Sequence, residues 1–461
     1  MKLTIRYTRS LWAIGLLALT SCNKLIEVTP TANITQGVAY SDSLATEANI
    51  NGIYYQLQQK GSIYNGSYCA EFPLLSDEAT PGTTTTAFWL ELATNIISVS
   101  NTSAQGLWAN NYSTIYQANS VIENVAGVGF LSEAKKNQFL GEARFLRAYC
   151  HFILTQYYGK IPLATTTDFK TNANASRADT GTVYSFIVTE LQAAEKLLPG
   201  GYAVYGNVKT RVCKEAAQAL LARVYLYGQD WANAETYATK LIGNPLFSMP
   251  SSYTSVLATN SPESIWELWA AAGASYGNFT ASYLVPASAA ISTKPAVIPS
   301  AKLVGSFEAG DVRKTAYLGY QATGDFYYVN KYRDRATNTD QPKMLRLGEM
   351  YLIRAEARAQ QNKLTGSSSA AADLNVIRNR AGLEGTTATT QGDMLAAIAQ
   401  ERFIELLFEG HRWLDLKRTG QIDAVMSAAK PATWKQNAKL LPVPAVEIGD
   451  NPNLLPNNPG Y

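Results

Sequence analysis

The chain has 461 residues, of which 16% are charged, and its formal net charge is +3. Outside the first ten residues no cluster of Lys and Arg occurs, so the sequence does not indicate a nucleic-acid-binding surface, which needs cations to neutralise phosphates. The 27 Tyr, 14 Phe and 8 Trp residues are typical of an exported protein that meets neutral polar ligands.

The N-terminus has the pattern of an export signal. Basic residues precede the apolar run Leu11–Leu19, which is too short to span a bilayer, since spanning needs ~20 apolar residues. Small residues then lead to Cys22, as in a bacterial lipobox. We expect residues 1–21 to be removed and Cys22 to carry lipid, followed by a polar tether over 22–35. The alternative is a plain secretory signal with a cysteine there by chance.

Most of the remaining chain has helical periodicity. Between the first two helices, Gly61–Gln105 is polar and aromatic, and a loop of this length is usually functional or disordered. Glycine and proline after Tyr158 and after Leu198 mark helix ends. The predicted helices, other than the paired ones below, are Asp42–Gln59, Leu107–Asn124, Glu142–Tyr158, Val183–Leu198 and Met394–Leu416.

Two pairs of helices resemble tetratricopeptide units. In the first pair, Lys214–Tyr227 and Trp231–Ile242, the run from Leu221 fits the L-G-x2-Y element with Ala in place of Gly. Ala234 and Ala238 supply the small residues that let paired helices approach closely. The second and looser pair is Leu347–Gln360 with Ala370–Arg380. Such units need neighbours to bury their faces, so several should stack.

Between the two pairs, residues 245–340 show little helical periodicity. Ser264–Trp269 alternates as a strand does, and Phe326–Val329 is a candidate short strand. We therefore divide the mature chain into an N-terminal region, 36–245, and a C-terminal region, 246–461.

Residues capable of catalysis are few. His151 and His411 are the only histidines, which disfavours multi-histidine metal sites. We interpret His411 as part of a helix junction with a buried Arg–carboxylate pair, and the alternative is a catalytic histidine. Asp77 and Glu78 are adjacent, which does not suit two carboxylates opposed across a sugar. A role in anchoring the loop is favoured over glycosidase chemistry.

The remaining cysteines, Cys69, Cys150 and Cys213, lack metal-ligand spacing and allow at most one disulfide. Buried free thiols are the default interpretation for Cys150 and Cys213. No cofactor or metal is predicted.

Aromatic side chains in the two loop-rich regions are the candidate ligand-binding residues. Flat aromatic rings suit the apolar faces of sugars, and nearby amides and carboxylates suit sugar hydroxyls. Packing in the core is the alternative for each ring. The candidates are Tyr64, Tyr68, Phe88, Trp89, Trp269, Tyr276, Phe279 and Tyr283.

Several segments, in the order they occur, resemble the SusD/RagB family of Bacteroidetes outer-membrane lipoproteins. The resemblance covers nearly the whole mature chain, and its most specific part is Glu401–Arg418. The matching segments are EARFLRAY at 142–149, YYGKIPL at 157–163, ALLARVYLY at 219–227, LRLGEMYLIRAEA at 345–357, LNVIRNRAGL at 374–383, ERFIELLFEGHRWLDLKR at 401–418 and LPVP at 441–444.

The resemblance implies a mainly α fold of four tetratricopeptide-type helix pairs packed against a loop-rich subdomain with few short strands. It implies a cell-surface binder without catalysis that captures glycan, or peptide in the RagB branch, and passes it to a SusC-type TonB-dependent transporter. The ligand site is expected in loops at about 62–106 and 266–335. A lipid-anchored enzyme using Asp77, Glu78 or His411, and a scaffold without a small ligand, remain alternatives.

Overall fold

The computed structural model describes residues 36–58, 64, 68–83, 85–269, 279–286, 292–333 and 340–461. The predicted signal peptide, Cys22 and the tether lie outside this part of the chain. Residues up to Thr46 form one unit and Glu47–Tyr461 form another. Helix Gln36–Ala39 and the first four residues of the helix Ser43–Gln58 lie in the first unit, and the description below otherwise concerns the second.

The described chain is mainly α. Its longer helices are α1 Ser43–Gln58, α2 Ala87–Thr94, α3 Thr102–Val125, α4 Glu133–Tyr158, α5 Thr180–Leu197, α6 Lys214–Tyr227, α7 Trp231–Ile242, α8 Leu347–Gln360, α9 Ala370–Arg380, α10 Gln391–Glu405 and α11 Ile422–Ala429. Shorter helices are Tyr68–Ala70, Phe169–Asn172, Phe279–Leu284, Ala301–Val304, Arg313–Tyr317, Arg412–Arg418 and Ala445–Asp450.

The strands are short and pair two by two, all antiparallel. They are β1 Ala79–Pro81, β2 Ile161–Pro162, β3 Arg177–Ala178, β4 Ser264–Glu267, β5 Val297–Pro299, β6 Leu318–Gln321, β7 Phe326–Val329 and β8 Lys343–Arg346. The pairs are β1–β5, β2–β3, β4–β8 and β6–β7.

Local sequence explains where the helices begin and end. The side chains of Asn101, Ser132, Asp230 and Ser369 each accept a hydrogen bond from a backbone N–H in the first turn of α3, α4, α7 and α9. Gly159, at φ +70°, ends α4 in a conformation that a residue with a Cβ rarely adopts.

The long helices form a continuous array. From α3 to α9 each helix packs against the next, and α10 packs on α8 and α9. In the first predicted pair, Ala234 and Ala238 are fully buried, as the close approach of α6 and α7 requires. The far end is closed by a core of apolar side chains from α8, α9 and α10, among them Leu352, Leu374 and Ile398. Stacking therefore buries faces that no single pair could bury alone.

The structure confirms several predicted elements and corrects others. The bounds of α6 to α9 and of β7 agree with prediction. Helix α4 begins at Glu133 rather than Glu142, because Ser132 caps it. The predicted loop Gly61–Gln105 contains β1 and α2. The predicted helix Met394–Leu416 is interrupted after Glu405, because Phe408 and Gly410 have φ of +56° and +82°.

The thiols of Cys69, Cys150 and Cys213 are all buried and free, so the interpretation of Cys150 and Cys213 as buried thiols is confirmed. Burial raises the pKa of the Cys69 thiol to about 12 and that of Cys213 to about 12, which keeps both protonated and unreactive. Within the described residues, no helix combines the length and the hydropathy needed to cross a membrane.

Candidate functional site

The structure joins the two regions that the sequence marks as ligand loops. Strand β1 from the first region pairs with β5 from the second, with Ala79 opposite Pro299 and Pro81 opposite Val297. The pairing continues beyond the strands, where the Gly82 N–H donates to the Ala296 carbonyl at 2.8 Å. Segments more than two hundred residues apart in sequence thereby form one surface.

This surface extends to both sides of the β1–β5 pair. Helix α2 packs on β1, helix Phe279–Leu284 packs on β5, and β5 also packs on β7 of the β6–β7 hairpin. We call these segments, α2, β1, β5, Phe279–Leu284 and β6–β7, the loop face. A Cβ at Gly82 would lie 1.6 Å from the Pro295 carbonyl oxygen, so glycine is required where the two loops cross.

Three of the predicted aromatic residues meet on the loop face. The Trp89 indole lies edge-on to the Tyr283 ring, with centroids 4.9 Å apart, and Phe88 is 6.4 Å from Trp89. Trp89 is only 4% exposed, whereas Phe88 and Tyr283 are half-buried. Trp89 therefore supports the other two rings, which remain partly exposed. Its indole N–H has no hydrogen-bond partner among the described residues.

The β6–β7 hairpin carries a second aromatic pair that the sequence analysis did not select. Tyr320 and Tyr327 lie opposite each other in the register, with ring centroids 5.0 Å apart. Tyr320 is 53% exposed, and its hydroxyl donates to Asp325 at 2.7 Å. The Lys314 ammonium lies 5.8 Å from the centroid of the Tyr327 ring. A signal was present, since tyrosines flank a Gly-Asp turn within strand-like sequence.

Tyr64 and Tyr68 pack in the core, which was the alternative for each candidate ring. Both rings are buried, and the Tyr64 hydroxyl donates to Asn111 of α3 at 2.7 Å. Their rings pack on each other at 5.5 Å, and Tyr68 packs on Phe72 at 5.8 Å. These tyrosines join the loop to the helices, and their ring faces are covered by protein.

The other candidates have separate positions. Trp269 follows β4 and is 44% exposed. Phe279 is the first residue of helix Phe279–Leu284 on the loop face. Tyr276 lies outside the described residues.

Of the three residues considered for catalysis, Asp77 and Glu78 are held by other protein groups, and His411 is buried. Asp77 accepts two hydrogen bonds from the Arg412 guanidinium, at 2.7 and 2.8 Å. Glu78 accepts from the Phe408 backbone N–H at 2.8 Å, and burial raises the pKa of its carboxyl to about 8. Burial lowers the pKa of the His411 imidazole to about 4. The contacts therefore support the predicted role of Asp77 and Glu78 in anchoring the loop.

A cavity of about 20 Å³ lies between α4, α6, β8 and residues 409–414. That volume suits a single water molecule and is far too small for a sugar ring. Its lining includes Tyr68, Cys69, Tyr149, Arg223, Lys343 and His411. Within the described ranges, no group of three or more His, Cys, Asp or Glu side chains is placed to hold a metal ion.

Two family models match the chain. Residues 31–226 match a SusD-like model described as starch-binding and associating with the outer membrane, and residues 309–461 match the SusD family model. The chain belongs to the SusD/RagB family. A SusD-like protein of Formosa agariphila, P25, is 25% identical over 96% of this chain and 97% of its own.

Solved SusD-like structures share the fold. A laminarin-binding SusD-like protein is 24% identical with a TM-score of 0.78, covering 91% of this chain and 100% of its own. Surface glycan-binding protein A of Bacteroides thetaiotaomicron, solved with laminarihexaose, is 19% identical with a TM-score of 0.76, covering 90% of this chain and 99% of its own. The SusD-like architecture predicted from the sequence, mainly α with few short strands, is confirmed.

Proposed function

We propose that this SusD-family chain is a cell-surface lipoprotein that captures a glycan without turnover and delivers it to a SusC-type TonB-dependent transporter. The observation that carries the proposal is the β1–β5 pairing, which gathers aromatic side chains from two distant loops onto one face. The laminarin ligands of two proteins with the same fold support a glycan over a peptide.

The chemistry of the loop face suits a neutral sugar. The exposed Tyr320 and the half-buried Phe88, Tyr283 and Tyr327 offer flat surfaces for the C–H faces of sugar rings. The exposed Trp269 offers another such surface. Asp325 and the tyrosine hydroxyls can select a hydroxyl pattern. Because aromatic rings have few rotatable bonds, ordering them on binding costs little entropy.

Removing an exposed ring should weaken glycan binding. We expect Trp269→Ala and Tyr320→Ala each to raise the Kd about tenfold, close to 1.4 kcal/mol of binding free energy. The measurement is calorimetric titration of residues 23–461 with oligosaccharides of laminarin and of starch, and with peptides. Tyr116→Ala is the matched control, because Tyr116 is 55% exposed but lies on α3.

The titration separates the alternatives. Saturable glycan binding that Tyr320→Ala weakens and the control retains would support the loop face as the site, and an effect of Trp269→Ala as well would extend the site to the segment after β4. Glycan binding unchanged in both variants would contradict the proposed rings. Binding of peptides alone would place the protein in the RagB-like branch. Release of shorter sugars during the titration would contradict capture without turnover.

The membrane anchor can be tested on its own. We expect Cys22→Ser to shift the protein from the outer-membrane fraction to the soluble fraction of the cells, because the substitution removes the acylated thiol. Palmitate labelling should disappear together with the membrane association. A labelled, membrane-bound variant would overturn the lipoprotein assignment.

A further inference from the structure

The segment Glu401–Arg412 holds the first ligand loop. Asp77 and Glu78 directly precede β1, and both are bound by this segment. The Arg412 guanidinium forms two hydrogen bonds with Asp77, and the Phe408 N–H donates to Glu78. The first loop is thus fixed at the point where it enters the loop face. We call Glu401–Arg412 the hub segment.

The same segment holds the second loop on both sides of the β6–β7 hairpin. Before the hairpin, Arg313 forms ion pairs with Glu401 and, at 3.2 Å, with Glu405. After it, the Lys331 ammonium donates to the carbonyls of Glu405 and Leu407, at 3.1 Å each, and to the Glu409 carboxylate. Burial of these charges is complete or nearly so.

Phe408 is where the two sets of contacts meet. Its N–H donates to Glu78 at 2.8 Å, and its carbonyl accepts from the Tyr332 hydroxyl at 2.9 Å. Phe408 has φ of +56° although its side chain is fully buried, an uncommon conformation for a bulky residue. A helical Phe408 would direct both backbone groups along the helix axis, so the left-handed conformation is what makes them available to the loops.

We propose that Phe408 and the hub segment are positioning residues for ligand capture, which fix the first loop and the β6–β7 hairpin in the mutual arrangement that binding requires. They act from behind the loop face through Glu78 and Tyr332. The inference rests on the proposed function, because it takes the loop face as the binding surface. Its physical basis is preorganisation, since loops ordered before binding lose less entropy on binding.

The decisive experiment is hydrogen–deuterium exchange on the ligand-free protein. Arg412→Gln alters the ion pair with Asp77 of the first loop and a ring contact with Phe403 inside the hub segment. Lys331→Gln alters hydrogen bonds from the second loop to the hub segment, and Lys331 forms none with the described residues of the first loop. We expect each variant to speed amide exchange about tenfold in both β1 and β6–β7. Loosening confined to the loop that was altered would overturn the proposal.

Two controls distinguish coupling through the hub segment from coupling through the rest of the fold. Arg354→Gln breaks the ion pair between Arg354 and Asp373, which joins α8 to α9, away from the loops. The side chains of this pair are 13% and 3% exposed, the same values as for Arg412 and Asp77. In the Arg354→Gln variant, amide exchange in β1 and in β6–β7 should be unchanged. Gly82→Ala disturbs the β1–β5 crossing without touching the hub segment. Equal loosening of the hairpin in Gly82→Ala would show that the strands carry the coupling, and would overturn the role of Phe408.

Two further measurements complete the test: a conservative substitution at Glu78 and the glycan affinity of Arg412→Gln. Glu78→Gln retains an acceptor for the Phe408 N–H and should exchange like the parent, whereas Glu78→Ala should behave like Arg412→Gln. Arg412→Gln should also weaken glycan binding about tenfold at unchanged stoichiometry. Parent-like affinity in that variant would overturn the role in capture. If the parent binds no glycan, the proposed function fails, while the exchange data still decide how the loops are positioned.

Discussion

Replacing Arg346 by leucine should lower the free energy of unfolding by about 3–5 kcal/mol, the cost of leaving buried charges without their partner. Arg346 is 1% exposed and donates to Glu263 at 2.6 Å, to Glu405 at 2.8 Å and to Glu409 at 2.9 Å. Leucine fills part of the volume but supplies no donor. Three carboxylates then lose a shared cation, and Arg313, Arg380 and Lys331 compensate only in part.

Urea denaturation followed by tryptophan fluorescence measures this change. The control is Lys439→Ala, whose ion pair with Asp423 is short, at 2.5 Å, but exposed, with side-chain exposures of 37% and 35%. Exposed pairs contribute little, so we expect a change within about 1 kcal/mol. A loss in Arg346→Leu no larger than that of the control would mean that the network tolerates removal of its central cation.

Local sequence patterns were sufficient to predict the helix array. Helices α6 to α9 follow from apolar periodicity and from small residues such as Ala234 and Ala238, which are fully buried. The break after Glu405 was not predictable in this way. Within Glu401–Leu416, Gly410 is a local turn signal, but Phe408, the first residue after α10 with a positive φ, does not mark a turn as a glycine would. Its positive φ is held by long-range contacts to Glu78 and Tyr332, which no local pattern records.

The candidate site was predicted by region more reliably than by residue. The family resemblance indicated both loops, but aromatic content alone does not tell which rings face inward. Tyr64 and Tyr68 were candidates for the ligand site and are buried against the helices. Tyr320 and Tyr327 were missed because their pairing depends on the register of β6 and β7. The β1–β5 pairing depends on segments too distant in sequence to be matched by pattern.

Acidification from pH 6.5 to 4.5 should destabilise the protein through its two histidines. Burial lowers the pKa of His151 and of His411 from 6.5 to about 4 each. In this pH range the unfolded chain binds protons at the two histidines that the folded chain does not bind. The contribution of the neutral histidines to the free energy of unfolding is therefore full above pH 6.5 and is lost as the pH falls towards 4. Each histidine contributes a slope of about 1.4 kcal/mol per pH unit, or about 5 kcal/mol for both over two units.

Glu78 opposes this loss. Burial raises its pKa from 4.5 to about 8, so the folded chain holds a proton there that the unfolded chain releases, and stability increases as the pH falls from 8 to 4.5. Between pH 6.5 and 4.5, the Glu78 carboxyl therefore raises the free energy of unfolding by about 3 kcal/mol. Glu78→Gln removes the titration but keeps an acceptor for the Phe408 N–H. The variant should therefore lose about 3 kcal/mol more than the parent between pH 6.5 and 4.5.

Urea denaturation of both proteins at the two pH values gives the comparison directly. Other buried carboxyls with raised pKa, such as Glu401 and Asp373, titrate alike in both proteins, so their contributions cancel in the difference. Parallel pH profiles would mean that Glu78 is ionised in the folded state and held by the nearby cations of Arg412 and Lys331. A steeper loss in Glu78→Gln would show that a neutral carboxyl joins the first ligand loop to Phe408.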